Sequence, residues 1–424
     1  MLRRVQILNY RCLRYVDVRL DRFHVLVGAN ASGKTTFMDA LAFVGDLVSD
    51  GLEEAVEKRT GNFQDLVWNH PEDKASMGFE LALEFEIPME LQHGLPKSRN
   101  YPIFRYEVAI KELRGAPCIA SERGLLSYLS SGASERQPNL FPDPLPSPKT
   151  ILVGGHRQGS RTILNKSDQG KDSFNSETAK KPGGGWLSTI ELGSHRSTLG
   201  SLPESPSKLP VSTYVKRWLV GDVKSLFLDS LEMRKASPPR LRRVQFAHDG
   251  SNLPWAVQRL REENDVDFKE WLDHIRGALP DLEDIRVVER PEDRHAYLML
   301  RYKTGLEVPS WMASDGTLRM LALTILAYLP DSRGIYFLEE PENGIHPRAV
   351  ETIYQSLSMV DHAQILLASH SPVVLSLSDP ADILCFAKNE EGATDIISGD
   401  KHPRLIDWRH EVSLGTLFAS GVLG

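Results

Sequence analysis

Val25-Leu26-Val27-Gly28-Ala29-Asn30-Ala31-Ser32-Gly33-Lys34-Thr35-Thr36 joins a short apolar run to Gly-x-x-x-x-Gly-Lys-Thr. The run predicts a buried strand, and Phe37 to Val44 predict a helix directly after the loop. Glycines at 28 and 33 allow the intervening backbone to turn its N–H groups inward, which makes a cradle for phosphate oxygens. The residues expected around nucleotide phosphates are Gly28, Asn30, Ser32, Gly33, Lys34, Thr35 and Thr36. Among them, the Lys34 ammonium would reach the β- and γ-phosphates and the Thr35 hydroxyl would be offered to Mg²⁺. The following helix points the positive end of its dipole at the same place. The reading is an α/β fold of the P-loop NTPase class.

A second string, Asn165-Lys166-Ser167-Asp168, matches the Asn-Lys-x-Asp that reads guanine. It is taken as accidental, because no Asp-x-x-Gly lies between Thr36 and Asn165 to sense a γ-phosphate. Its Gly-, Ser- and Lys-rich surroundings also read as loop. Adenine is the base expected.

Three further motifs cluster toward the C-terminal end. Gly334-Ile335-Tyr336-Phe337-Leu338-Glu339-Glu340 is an apolar run ending in paired carboxylates, the pattern of a buried parallel strand that delivers acids to a sheet edge. Glu339 is placed to hold the Mg²⁺ shell and Glu340 to polarise the attacking water. Upstream, Trp311-Met312-Ala313-Ser314-Asp315-Gly316-Thr317 leads into an apolar helix, so that Ser314, Gly316 and the helix start offer phosphate-binding donors. Downstream, Gln364 to Ala368 predict a buried strand that ends at Ser369-His370-Ser371-Pro372, which places His370 where a γ-phosphate sensor belongs. Each motif taken singly has an ordinary structural explanation, as a strand end, a helix cap or a structural histidine. Their order and spacing carry the weight.

At these residues the chain resembles the ABC-type ATPases of the RecF, SMC and overcoming-lysogenisation-defect group. Asn9-Tyr10-Arg11 is similar to the group's Asn-Phe-Arg element, which implies Arg11 as a nucleotide contact. Glu339 to Pro347 resemble its Walker B and D-loop, although Glu339 stands where Asp is commoner, and Ser314-Asp315-Gly316-Thr317 is a short version of its signature. The resemblance implies ATP and Mg²⁺ as cofactors and a composite site. Lys34, Thr35, Glu340 and His370 of one protomer would meet Ser314 and Gly316 of another, in a homodimer or higher homo-oligomer. Gln64 is the candidate for the Q-loop glutamine on the metal.

The expected organisation is an ABC-type head split in sequence. Residues 1–130 hold the phosphate loop and an antiparallel β-lobe, in which Phe79 to Ile87 and Tyr106 to Leu113 alternate as half-buried strands. Residues 131–210, rich in Pro, Gly and Ser, read as a flexible surface excursion. Residues 211–284 read as a helical insertion, with Trp218, Leu219, Val223, Leu226, Phe227, Trp255, Leu260, Phe268, Trp271, Leu272 and Ile275 at helical spacings that face a core. Residues 285–424 open on a hairpin and return to the head. The helical part is too short and interrupted for a long coiled coil.

A chain of 424 residues with 41% hydrophobic content can bury a sizeable core. Three widely spaced cysteines fit a reducing compartment, and no apolar run matches a membrane span or a signal peptide, so a cytoplasmic protein is expected. The 50 basic and 57 acidic residues leave a net charge of −7, which excludes a wholly DNA-binding surface. A local basic patch is still conceivable at Arg234, Lys235, Arg240, Arg242 and Arg243, and at Arg157, Arg161, Lys166, Lys171, Lys180 and Lys181. Past His370 there is no Asp-x-Asp with a distant Glu, so a fused TOPRIM nuclease is not expected. The resemblance therefore implies an ATPase that controls a separately encoded effector, a nuclease, in prokaryotic anti-phage defence. The alternative is a RecF-like repair ATPase in contact with DNA. A transporter's nucleotide-binding subunit fits less well, because such subunits are shorter and lack the long segment between the phosphate loop and the signature.

Overall fold

The computed structural model describes residues 1–69, 77–96, 101–127, 141–143, 145–153, 160–166, 171–179, 186–203, 205–330, 332–405 and 414–419. The run Phe23–Gly28 forms a strand buried at every position. It lies between Ala363–Ala368 and Ile383–Lys388 in a six-stranded sheet ordered Val223–Leu226, Gly334–Glu339, Ala363–Ala368, Phe23–Gly28, Ile383–Lys388 and Thr394–Ser398. The first five strands are parallel and the last is antiparallel. Strands covered on both faces are apolar almost throughout, which is why these segments read as runs rather than alternations. Parallel order has a functional consequence. It brings the loop after Gly28, the acids at 339 and 340, and His370 to one edge of the sheet.

A second, antiparallel sheet has eight strands in the order Leu13–Arg19, Leu2–Tyr10, Gly78–Glu86, Ile103–Leu113, Ala116–Ser127, Ser160–Lys166, Lys171–Asn175 and Trp186–Glu191. Its apolar face and the helix Lys34–Ser49 share one core. The excursion expected over 131–210 is corrected in part, since three of these strands come from it. Ile163, Leu164 and Phe174 are fully buried there. The polar composition misleads because Lys166 and Asp172, which read as solvated loop, neutralise each other at 2.7 Å in the interior. Glu177 similarly accepts from the backbone N–H groups of Val211 and Ser212, at 2.6 and 2.8 Å, and so caps the helix Pro210–Gly221 from within the protein.

The region 211–284 contains the helices Pro210–Gly221, Leu253–Glu263 and Asp265–Ala278, but it is not wholly helical. Val223–Leu226 is an edge strand of the parallel sheet, registered against Ile335–Leu338. Four residues with Val and Leu at their ends suit either period, and pairing with the neighbouring strand decides between them. Leu260, Phe268, Trp271 and Ile275 pack into a second core together with the helix Asp315–Thr324, while the buried Trp255 donates its indole N–H to the Pro238 carbonyl at 2.9 Å. The Trp271 indole donates to Thr324 Oγ1 at 3.0 Å. The hairpin expected after residue 285 is present as Leu282–Glu289 paired with Ala296–Tyr302.

Two buried histidines make the fold sensitive to acid. His24 Nε2 accepts the Asp21 N–H at 2.8 Å while Nδ1 lies 3.1 Å from the Asp382 carbonyl, so the neutral ring satisfies both and its pKa is lowered by burial. Burial, with the Arg404 cation adding to it, pushes His402 from 6.5 down to about 4. Both folded values lie below the unfolded one, so the unfolded chain binds more protons as pH falls below about 6.5. Stability is therefore fully present above that value and is lost as pH falls toward about 4. Urea-unfolding midpoints should drop between about pH 7.5 and about pH 5, and His402→Gln should flatten the drop. A midpoint independent of pH would contradict this.

Candidate nucleotide-binding and catalytic site

The phosphate loop owes its shape to close approaches. A Cβ at Gly28 would lie 2.2 Å from the Phe386 carbonyl oxygen, and one at Gly33 would lie 2.5 Å from Thr394 Oγ1. Gly33 also has φ 108, in the left-handed region, at the start of the helix Lys34–Ser49. The Lys34 ammonium donates to the carbonyls of Gly28 and Ala29 at 2.8 and 3.1 Å. Burial lowers its pKa, against the pull of the Glu340 and Glu339 carboxylates. The cation thus stays folded over the loop. Ser32 Oγ is buried and has no hydrogen-bond partner among the described residues, and Thr35 and Thr36 remain accessible.

Across the cleft the strand ends at Glu339, and Glu340 takes φ 44, a left-handed conformation that costs of order 1–3 kcal/mol in a non-glycine residue. Hydrogen bonds hold it there: the Glu340 N–H donates to the Ala368 carbonyl at 2.8 Å, and the Asn343 N–H to the Glu340 carbonyl at 3.0 Å. Successive side chains on a strand point to opposite faces. The left-handed residue breaks that alternation, and both carboxylates line the same cleft. Asn343 Nδ2 donates to Glu340 Oε2 at 2.6 Å, and His370 Nε2 lies 3.8 Å from Oε1. Burial, followed by the nearby Lys34 cation, lowers the His370 pKa, while Glu340 and Glu342 act against it. Ser369 Oγ donates to Glu342 and accepts the Ser371 N–H at 3.0 Å, which fixes the turn that carries the histidine.

The cleft holds about 580 Å³ and is lined by Asn30, Ser32, Gly33, Lys34, Thr35, Thr36, Glu339, Glu340 and His370. Its volume suits a nucleotide. Thr35 and Glu339 could each give one oxygen to Mg²⁺. An ion held so would take its remaining ligands from phosphates and water.

Five expected residues lie outside this lining, and one of them, Gly28, meets the site only through its carbonyl on Lys34. Arg11 pairs with Asp39 at 3.2 Å instead, although its neighbour Cys12 does line the cleft. Gln64 is exposed and donates to Glu112. Ser314 is an exposed N-cap whose Oγ accepts the Thr317 N–H at 3.1 Å, and a Cβ at Gly316 would approach the Gly344 carbonyl at 3.0 Å. Asp315 and Arg319 of the same helix line an adjacent cleft of about 500 Å³ that shares Phe227, Glu339 and Glu340 with the first. Trp311 and Met312, just ahead of the signature, are 47% and 70% exposed.

Asn165 and Lys166 stand on the antiparallel sheet, and neither lines the cleft. Ser167 and Asp168 lie outside the described residues. Most of the singled-out basic residues whose side chains are described have local partners. Arg234 pairs with Asp315 at 2.7 Å, Lys235 with Glu232 at 2.5 Å, and Arg242 lies 3.8 Å from both Glu262 and Glu289. Arg161 donates to the carbonyls of Ser176 and Ala179, while Arg240 and Arg243 are exposed. Arg157, Lys180, Lys181 and the Lys171 side chain lie outside the described residues.

Sequence reasoning missed Cys12, Phe227, Asn343 and Lys388 as lining residues. It also missed the fully buried Thr394, whose hydroxyl donates to the Ser32 carbonyl at 2.9 Å and supports the loop from behind. Only Asn343 carried a signal, since it stands three residues past Glu340.

Among solved structures the chain is similar to an Smc head bound to the C-winged helix domain of ScpA, with 14% identity, a TM-score of 0.51, and coverage of 93% of this chain and 97% of that one. It is similar also to an Smc head domain with an extended coiled coil bound to the C-terminal domain of ScpA, derived from Pyrococcus furiosus, with 13% identity, a TM-score of 0.50, and coverage of 96% and 98%. At this identity the likeness shows the fold, an ABC-type ATPase head. No curated protein matches the sequence. Residues 23–376 match the profile of the family described as "AAA domain, putative AbiEii toxin, Type IV TA system", and the chain belongs to that family of ATPases.

Proposed function

We propose that the chain is a Mg²⁺-dependent ATP hydrolase whose heads pair through composite sites and which controls a separately encoded effector, a nuclease, in prokaryotic anti-phage defence. The observation that carries this reading is the meeting of Lys34, Glu340 and His370 on one cleft that Ser314 and Gly316 do not line. When bound, Mg²⁺ would neutralise charge on the phosphate oxygens. Lys34 would exchange the carbonyls of Gly28 and Ala29 for phosphate oxygens. Glu340, held through one oxygen by Asn343, keeps the other toward His370 and orients a water between them. His370, with its lowered pKa, stays neutral near pH 7 and can donate a hydrogen bond to the γ-phosphate from Nε2–H.

Ser314 and the start of its helix offer donors at the surface, beside the exposed Trp311 and Met312, as a second head would require. A separate protein partner is supported by the family's toxin–antitoxin description and by the ScpA domains carried by the two Smc heads. The local ion pairing of Arg234, Lys235 and Arg242 leaves little of the basic patch for DNA. Among the described residues no helix is long and apolar enough to cross a membrane, and we place the protein in the cytoplasm as part of the same proposal.

Phosphate release by the purified chain tests the reading. ATP with Mg²⁺ should give slow steady turnover, GTP much less, and EDTA should reduce release from ATP to background. Turnover unaffected by EDTA, or equal with GTP, would overturn it.

A further inference from the structure

At the amino ends of the same parallel strands, opposite the nucleotide cleft, a second cavity of about 590 Å³ opens between the two sheets and the helix Pro210–Gly221. Four arginines line it: Arg3, Arg22, Arg217 and Arg333. Arg3 is engaged by Asp21 at 3.1 Å and Glu86 at 2.8 Å. The acid Asp361 also lines the cavity, with His362 Nε2 at 3.0 Å. Arg22, Arg217 and Arg333 hold no ion pair or side-chain hydrogen bond among the described residues. They reach the cavity from three elements: the residue before the strand Phe23–Gly28, the helix Pro210–Gly221, and the residue before the strand Gly334–Glu339. Two carboxylates compete, Asp361 and Asp222. Asp222 also lines the cavity, where burial raises its pKa against the pull of Lys224 and Arg333.

The lining also has an apolar part, made by Leu91, Pro206, Pro210, Tyr214 and Trp218. Guanidinium forks bind phosphate oxygens in pairs, and three of them reaching one cavity outnumber Asp222 and Asp361, the two lining carboxylates that Arg3 does not hold. The volume matches that of the nucleotide cleft and lies within the range of small-ligand sites.

We propose that this cavity is a second ligand site for a phosphorylated small molecule of nucleotide size, whose phosphates engage Arg22, Arg217 and Arg333 and whose flat or apolar part lies on Tyr214 and the prolines. Such a site is independent of the phosphate loop and uses none of its residues.

The test uses the full chain carrying Lys34→Ala, so that binding at the loop does not contribute and the outcome is separate from the ATPase reading. Titration with N-methylanthraniloyl-ADP should show one site per chain, and inorganic pyrophosphate should displace the probe. Adding Arg22→Gln, Arg217→Gln and Arg333→Gln together should weaken binding by at least about tenfold, the loss expected for hydrogen bonds to charged groups, with an unchanged circular-dichroism spectrum. Adding Arg240→Gln and Arg243→Gln, which remove exposed charge elsewhere, should leave binding intact. No binding to the Lys34→Ala chain, no displacement by pyrophosphate, or equal weakening by both sets of substitutions would overturn the proposal.

Discussion

Glu340→Gln protein is expected to bind ATP as tightly as the unaltered chain and to hydrolyse it at least about a hundredfold more slowly, the scale at which a positioned general base contributes. The amide keeps the volume and can still meet Asn343, so the loop from Pro341 to Asn343 should keep its course. It lacks the negative charge that orients and deprotonates water between Oε1 and His370, which stand 3.8 Å apart. The bound nucleotide should accumulate uncleaved, and rapid filtration of radiolabelled ATP would detect it. Hydrolysis by the variant at the unaltered rate would remove Glu340 from the role of base.

Lys34→Ala is expected to weaken ATP binding by about a hundredfold or more. The ammonium is the one cation seated on the loop itself, bonded to the carbonyls of Gly28 and Ala29. Without it those carbonyl oxygens would face phosphate oxygens uncompensated, in a place where burial already disfavours charge. Alanine at the first position of the helix Lys34–Ser49 is a good helix former, so the fold should survive. Calorimetric titration would read the loss directly. Affinity within threefold of the unaltered chain would contradict it.

The parts of this protein that could be read from the sequence are those where one residue type does one job. Gly28 and Gly33 could be read because a Cβ at either would collide with backbone or side chain, and the apolar strands because both of their faces are covered. The strands at 160–191 could not, because their interior is held by pairs such as Lys166 and Asp172 that look solvated when seen singly. The edge strand Val223–Leu226 was hidden for a different reason. Four residues have no period of their own, and only the neighbour Gly334–Glu339 makes them a strand. The site divides in the same way. Lys34, Glu340 and His370 sit where local motifs place them, whereas Gln64, found only by residue type, is bonded to Glu112 at the surface. Thr394 supports the phosphate loop from 362 residues away and has no motif, so nothing local could have announced it.

The composite site is the central claim, and complementation between two inactive proteins tests it most directly. Ser314→Arg should spare ATP binding, since Ser314 does not line its own cleft, while blocking closure against a neighbour. Lys34→Ala should empty its own phosphate loop at working ATP concentrations and leave an intact signature. Mixed in equal amounts, the two should regain part of the ATPase activity that neither has alone, because one site in each mixed pair would join an intact Lys34 to an intact Ser314. No recovery in the mixture, together with full hydrolysis by an unaltered chain that sediments as a monomer, would contradict the account.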